Sequence, residues 1–268
     1  SSMLIGVWFF IMQQSQLRRK NWRCALGKLI VVGIGPGNYE NMTIKADRAL
    51  QSCDVIIGYH VYVDLVKERY SDKEFLTTPM TQETKRCQMA IDLAMQGKTV
   101  AMVCSGDSGI YGMAALIYEL RGECSDPEVE VIPGLTAACS GAALLGAPLT
   151  HDFAVISLSD RLTSWEKIEK RLEAAAAADL SIVLYNPASR GRPDHLRRAC
   201  DILLRHLPKE RLCGVAQYIG RDGENKRLMS LGELRSAAVD MFCTVFIGNE
   251  MTREIAQNMV TPRGYRDV

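Results

Sequence analysis

The sequence predicts an α/β protein in two parts, a mostly parallel first sheet followed by a mixed second sheet, and three observations predict it. From residue 28 onward, short β-branched runs alternate with turns and helix-prone stretches, the rhythm of parallel strands joined by crossover helices. Three of those runs end in glycine turns: Gly33-Ile34-Gly35-Pro36-Gly37, Ser105-Gly106-Asp107-Ser108-Gly109, and Pro133-Gly134-Leu135-Thr136-Ala137. Past Gly146-Ala147-Pro148-Leu149 the strands come closer together, which suits antiparallel or mixed pairing.

Residues 29–32 read as a buried strand and 43–51 as a helix opened by a Thr43 cap. A second strand covers 54–58, and a long amphipathic helix over 82–96 stops at Gly97. Strands at 99–104 and 128–132 are each followed by a helical stretch, 113–120 and 137–145. The second half gives a strand at 153–158, a helix at 165–178 with five consecutive alanines, a strand at 181–185 and a helix at 193–206. Further segments follow at 212–218, 226–230, 231–237 and 242–247. The expected organisation is an extension over 1–27, a first domain over 28–147 and a second over 148–268.

With 32 Lys+Arg against 31 Asp+Glu, no net field recruits nucleic acid or an anionic membrane. The nine cysteines are odd in number, scattered, and never spaced C-x-x-C, which points to reduced thiols packed as small core residues in a cytoplasmic protein. The apolar run over residues 3–12 precedes Arg18-Arg19-Lys20, the reverse of a secretory signal, and is too short to span a bilayer. Ser1-Ser2 reads as an expression remnant.

Glycine turns after strands bring backbone close to a ligand at the carboxyl edge of an open sheet. A dinucleotide fingerprint would need glycine at position 38, where the chain has Asn38, and Pro36 denies that turn a donor. A phosphate-cradling G-x-x-x-x-G-K-[ST] is also missing from the sequence. Three such turns instead suggest one composite pocket in which Asp107 accepts hydrogen bonds from a ligand.

Taken together, Val32-Gly33-Ile34-Gly35-Pro36-Gly37 with Thr43, Ser105-Gly106-Asp107, and Val131-Ile132-Pro133-Gly134-Leu135-Thr136-Ala137 resemble the signatures of the tetrapyrrole methylase family. Three further strings narrow the resemblance to the branch that methylates C17 of precorrin-3B or cobalt-precorrin-3 in cobalamin biosynthesis. They are 144–160, Leu184-Tyr185-Asn186-Pro187-Ala188-Ser189-Arg190, and Met259-Val260-Thr261-Pro262-Arg263-Gly264-Tyr265. The resemblance covers about residues 28–268. Ser108 departs from it, standing where many relatives have Pro or Ala, and residues 1–27 match nothing in it.

The resemblance implies a two-domain, class III S-adenosylmethionine methyltransferase fold with the active-site cleft between the domains. It implies S-adenosylmethionine as cofactor, S-adenosylhomocysteine as product, no protein-bound metal, and a homodimer. Carried over by motif, Gly35 and Pro36 border the cleft and Ser105, Gly106, Asp107 and Ile110 flank the methionine part. Thr136 and Ala137 contact the cofactor, and Asn186 and Gly220 lie near its adenosine. The implied substrate is a tetrapyrrole with acetate and propionate arms, for which Arg190 and Arg192 are the first candidates as carboxylate ligands, with Lys85, Arg86 and Arg161 behind them. Ring contraction coupled to C17 attack would use proton transfer, for which His60 and Glu83 are the candidate acid and base. His151, His195 and His206 are too dispersed to hold a metal, so cobalt would arrive inside the substrate. Rival readings are a sibling methylase acting at C11 or C20, a family member methylating RNA or protein, and a non-catalytic tetrapyrrole carrier.

Overall fold

The computed structural model describes residues 27–189 and 191–265, and the expectations for residues 1–26 and for Arg190 lie outside them. The chain divides into two compact units between Leu135 and Thr136. Where the sequence placed the change of domain at 147–148, the change of packing partner comes one helix earlier. The helix over Ala137–Leu145 buries Ala138 and Leu145 against Val183, Ala216 and Phe246 of the second unit.

The first unit is built on a five-stranded sheet, entirely parallel. Its strands are β1 (Lys28–Gly33), β2 (Val55–Tyr59), β3 (Glu74–Thr78), β4 (Thr99–Cys104) and β5 (Glu128–Ile132), in the order β3-β2-β4-β1-β5. Helices α1 (Ile44–Ser52), α2 (His60–Asp64), α3 (Glu83–Met95) and α4 (Ala114–Arg121) complete it. Because side chains alternate along a strand, β1 feeds two cores. Ile30 and Val32 pack with Ala46, Ala49 and Leu50 of α1, while Leu29 and Val31 pack with Cys87, Ala90 and Ile91 of α3 and Ile117 of α4. Burial on both faces explains why these strands read as unbroken apolar runs. Thr43 opens α1 as expected, its hydroxyl accepting the Ala46 N–H at 3.1 Å.

The second unit carries a mixed five-stranded sheet ordered β10-β9-β11-β8-β7. The strands are β7 (Phe153–Ser157), β8 (Ser181–Tyr185), β9 (Leu212–Gln217), β10 (Asn225–Ser230) and β11 (Cys243–Ile247). β7 and β8 run parallel and the other pairings are antiparallel, the mixed sheet the sequence predicts. Helices α6 (Trp165–Ala177) and α7 (His195–Leu203) cover one face through Ile168, Leu172, Leu196 and Ala199. α5 (Ala137–Leu145) covers the other, where Gly141 lies so close to Phe246 that a Cβ would stand 2.9 Å from its ring. The short α8 (Leu231–Leu234) follows β10. A small third sheet joins β6 (Gly146–Ala147) to a hairpin of β12 (Arg253–Ile255) and β13 (Asn258–Val260), so the segment the sequence marks as a break is a two-residue strand.

Candidate functional site

The order β4-β1-β5 sets the carboxyl ends of three adjacent strands side by side, and the three glycine turns follow those ends. They interlock through backbone. Gly35 donates its N–H to the Gly106 carbonyl at 3.0 Å, and Gly106 donates to the Gly35 carbonyl at 2.7 Å. A Cβ on Gly134 would meet the Gly106 carbonyl oxygen at 2.0 Å, and one on Gly33 would meet the Gly134 nitrogen at 2.6 Å. No side chain fits where the turns meet. Gly35 and Gly106 also hold φ of +75° and +68°, the left-handed region open to glycine at little cost.

Asp107 closes this cradle. One carboxylate oxygen accepts from Gly109 N–H at 2.8 Å and Ile110 N–H at 3.0 Å, and the other accepts from Gly134 N–H at 2.9 Å. The first pair is an aspartate turn within its own loop. The third bond ties the loop after β4 to the loop after β5. The sequence expects Asp107 to receive a ligand's hydrogens, whereas in the structure its carboxylate is spent first on three backbone amides. Ser108, the departure from the family pattern, is buried and donates to the Ile132 carbonyl at 2.8 Å, a second tie to the end of β5. Gly35 and Pro36 are buried and Ser105 is half-buried beside them. Ile110 and Tyr111 stay 43% and 54% exposed at the rim, so the cradle presents apolar side chains outward.

His60 and Glu83 sit on the same edge of the sheet, beyond β2 and β3. Tyr59 and Thr78, the last residues of those strands, are register partners. His60 opens α2 exposed, its ring 4.4 Å from that of Tyr59 in an edge-on arrangement. Glu83 opens α3 and accepts the Thr81 N–H at 3.2 Å, steadying a residue with φ of +74°. Among the described residues no hydrogen bond joins His60 to Glu83.

In the second unit the carboxyl ends of β7, β8 and β9 share one edge. Tyr185, the last residue of β8, accepts the Ala138 N–H at 2.6 Å and shares a 2.5 Å hydrogen bond with the Thr136 hydroxyl. A phenol thereby caps the first turn of α5, doing what the cap side chain would do alone in most helices. Thr136 and Ala137 are held at that turn. Asn186 follows with φ of +55° and donates from its amide to Ser157 Oγ at 2.9 Å, joining the ends of β8 and β7. Beyond β9, Tyr218 and Gly220 also hold left-handed backbone, and Gly220 N–H is taken by Glu224 at 2.6 Å. Tyr218 donates to Asp240 at 3.0 Å, and that bond raises its phenol pKa. Non-glycine residues in this conformation mark turns the surrounding fold enforces.

Arg192 is less free than the sequence expects. Its guanidinium donates to Ser159 Oγ at 2.6 Å and Ser189 Oγ at 3.2 Å, and lies 3.6 Å from Asp160, which also faces the buried His195 at 3.5 Å. It fastens the loop after β8 to the loop after β7. Arg161 and Lys85 are exposed. Sequence reasoning missed Tyr185 as a cap, since its partners lie 47 and 49 residues away. Among the described residues no group of three His, Cys, Asp or Glu side chains converges to hold a metal ion, and no helix is long and apolar enough to cross a membrane.

Interlocked glycine turns on one edge of a parallel sheet, joined in sequence to a mixed second sheet, describe an α/β protein with a ligand-binding edge, and the family comparison supplies its class, a methylase. The chain belongs to the Tetrapyrrole (Corrin/Porphyrin) Methylases, whose model matches residues 28–235. It is 49% identical over 238 residues to a probable cobalt-factor III C(17)-methyltransferase of Salmonella typhimurium, covering 88% of this chain and 99% of that one. It is 44% identical to a cobalt-factor III methyltransferase of Priestia megaterium, of whose length it spans 45%. Among solved structures, that of the methyltransferase CobJ matches with a TM-score of 0.82 and 34% identity, over 88% of this chain and all of that one.

Proposed function

We propose that this chain transfers the methyl group of S-adenosylmethionine to C17 of a cobalt-containing tetrapyrrole of the cobalt-factor III type, in cobalamin biosynthesis. The observation that carries the reading is the near-complete match to the Salmonella protein, at 49% identity over 99% of its length. The local chemistry is compatible with the cofactor. The three turns contain no Lys, Arg or His and one carboxylate, Asp107, which suits a cationic sulfonium better than a phosphate. Gly35, Pro36, Ser105, Gly106, Asp107, Ile110, Thr136, Ala137, Asn186 and Gly220 are the proposed cofactor set.

A sulfonium methyl is already activated, so the protein's task is to hold carbon and methyl in line while water is kept out. Backbone that is already hydrogen-bonded, as at Gly35 and Gly106 to each other and at Gly134 to Asp107, loses little freedom when the ligand arrives. Asp107 sets the positions of three amides in that cradle. His60 and Glu83 are the proposed proton carriers for the accompanying ring contraction, and Arg190 and Arg192 the proposed partners of substrate carboxylates. The chain is proposed to act as a cytoplasmic homodimer.

The deciding experiment is an anaerobic incubation with methyl-labelled S-adenosylmethionine and cobalt-factor III, read by mass spectrometry and carbon NMR. A labelled methyl at C17 of a contracted ring is expected. A methyl at C11 or C20 would reassign the chain to a sibling activity, and tetrapyrrole binding without transfer would favour a carrier.

A further inference from the structure

Arg86 stands apart from the other basic side chains. It lies on α3 and is only 4% exposed, on a helix whose Cys87, Ala90 and Ile91 are also buried. Its guanidinium is held by neutral acceptors alone: Nε donates to Thr78 Oγ1 at 2.9 Å, and Nη2 to the carbonyls of Pro79 at 3.2 Å and Thr78 at 3.4 Å. The Tyr59 ring centre lies 5.9 Å away. Lys28, Arg69, Arg192, Arg205, Arg211 and Arg235 all have a carboxylate within 4.0 Å; Arg86 has none among the described residues. Glu83, one turn earlier on the same helix, is turned instead to Thr81 N–H.

Arginine cannot shed its proton, so a buried guanidinium without a counter-charge is held at a substantial desolvation cost. Among the described residues its Nη1 has no hydrogen-bond partner, since only Nε and Nη2 are used. Its partners Thr78, the last residue of β3, and Pro79, which follows it, fix where the guanidinium stands. That place is the carboxyl edge of the parallel sheet, at the ends of β2 and β3, and the charge is felt by the Cys104 thiol at the end of β4. Ligands of open α/β sheets bind along this edge.

We infer that Arg86 is a carboxylate-binding residue, its guanidinium waiting for an acetate or propionate arm of the tetrapyrrole. The inference rests on the proposed function for the nature of the ligand and on Arg86's own geometry for the place. Thr78 and Pro79 hold the fork through Nε and Nη2, and the arriving carboxylate supplies the missing charge at Nη1. His60 and Tyr59 flank the same strand ends, which brings one substrate arm beside the candidate proton carrier.

The test is fluorescence-monitored binding of uroporphyrin, and separately of S-adenosylhomocysteine, to the wild-type chain and to Arg86→Gln and Arg86→Lys. Expected for Arg86→Gln is a loss of uroporphyrin affinity of about tenfold or more with S-adenosylhomocysteine affinity unchanged, and for Arg86→Lys partial recovery without the planar fork. Equal affinities in wild type and Arg86→Gln, or parallel losses for both ligands, would overturn the inference and make Arg86 a strut for the turn after β3. Failure of the wild type to bind uroporphyrin would remove the parent reading and the inference with it. Should Arg86→Gln not fold, Thr78→Val keeps the charge but frees the fork; unchanged uroporphyrin affinity there would count equally against the proposal.

Discussion

The Tyr185 phenol oxygen accepts the backbone N–H of Ala138 at 2.6 Å, so the last residue of one strand caps the first turn of a helix from 47 residues away. Tyr185→Phe deletes that acceptor and the partner of the Thr136 hydroxyl while keeping the ring. Leaving a part-buried donor unsatisfied costs about 1–3 kcal/mol, which in a chain of this size lowers the melting temperature by roughly 2–4 °C per kcal/mol. The melt checks it. Calorimetry should also show weaker S-adenosylhomocysteine binding, because Thr136 belongs to the proposed cofactor set.

Asp107 gives a second prediction. Asp107→Asn keeps the size of the side chain but removes its charge and presents an N–H₂ group to backbone donors. Asp107→Ala leaves three amides without their acceptor. Both variants should lose cofactor affinity, Ala more than Asn, by at least about tenfold. Isothermal calorimetry with S-adenosylhomocysteine reads this directly, and an unchanged Kd would show that the tie to Gly134 is irrelevant to binding.

Gly134→Ala should be among the most damaging single-methyl additions to the chain. The new Cβ would stand 2.0 Å from the Gly106 carbonyl oxygen, backbone that cannot swing aside. The expected cost exceeds the about 1–3 kcal/mol usual for overpacking. Gly232→Ala is the control: in α8 its Cβ would meet nothing nearer than 3.5 Å, and alanine is the better helix former. Denaturant titration should find the first strongly destabilised and the second unchanged or slightly stabilised.

Acid should act partly through Glu130. Its carboxyl pKa is lowered, first by the hydrogen bond from Lys28 and then by that from Lys45. A carboxylate depressed in the folded state contributes stability that is present above its unfolded pKa, about 4.3, and disappears as the pH falls through the lower folded value. Glu130→Gln should therefore flatten the loss of stability below about pH 4. Parallel acid limbs for the two proteins would remove Glu130 from the account.

The strands that carry the cradle were legible because β1 and β4 are buried on both faces and read as apolar runs ending in glycine. Their neighbourhood was not legible. That β1 lies between β4 and β5 is a matter of long-range pairing, and only this order turns three separate glycine motifs into one cradle. β3 escaped notice as an edge strand whose residues 74–77 are all at least partly exposed. The β12–β13 hairpin escaped because its left-handed turn is made by Ala256 and Gln257, with φ of +48° and +63°, rather than by the Asn-Gly pair that announces such turns. Nor does one-dimensional text distinguish Arg86, on the buried side of α3, from its neighbour Lys85, which is out in water.

The contact of Gly33, Gly106 and Gly134 backbone has a consequence for anyone redesigning this protein. The three loops form a keystone, each shaped to the absence of side chains in the other two, so none can be exchanged, lengthened or randomised by itself. Cofactor preference would have to be altered from the rim, at Ile110 and Tyr111, or by transplanting all three loops as one piece.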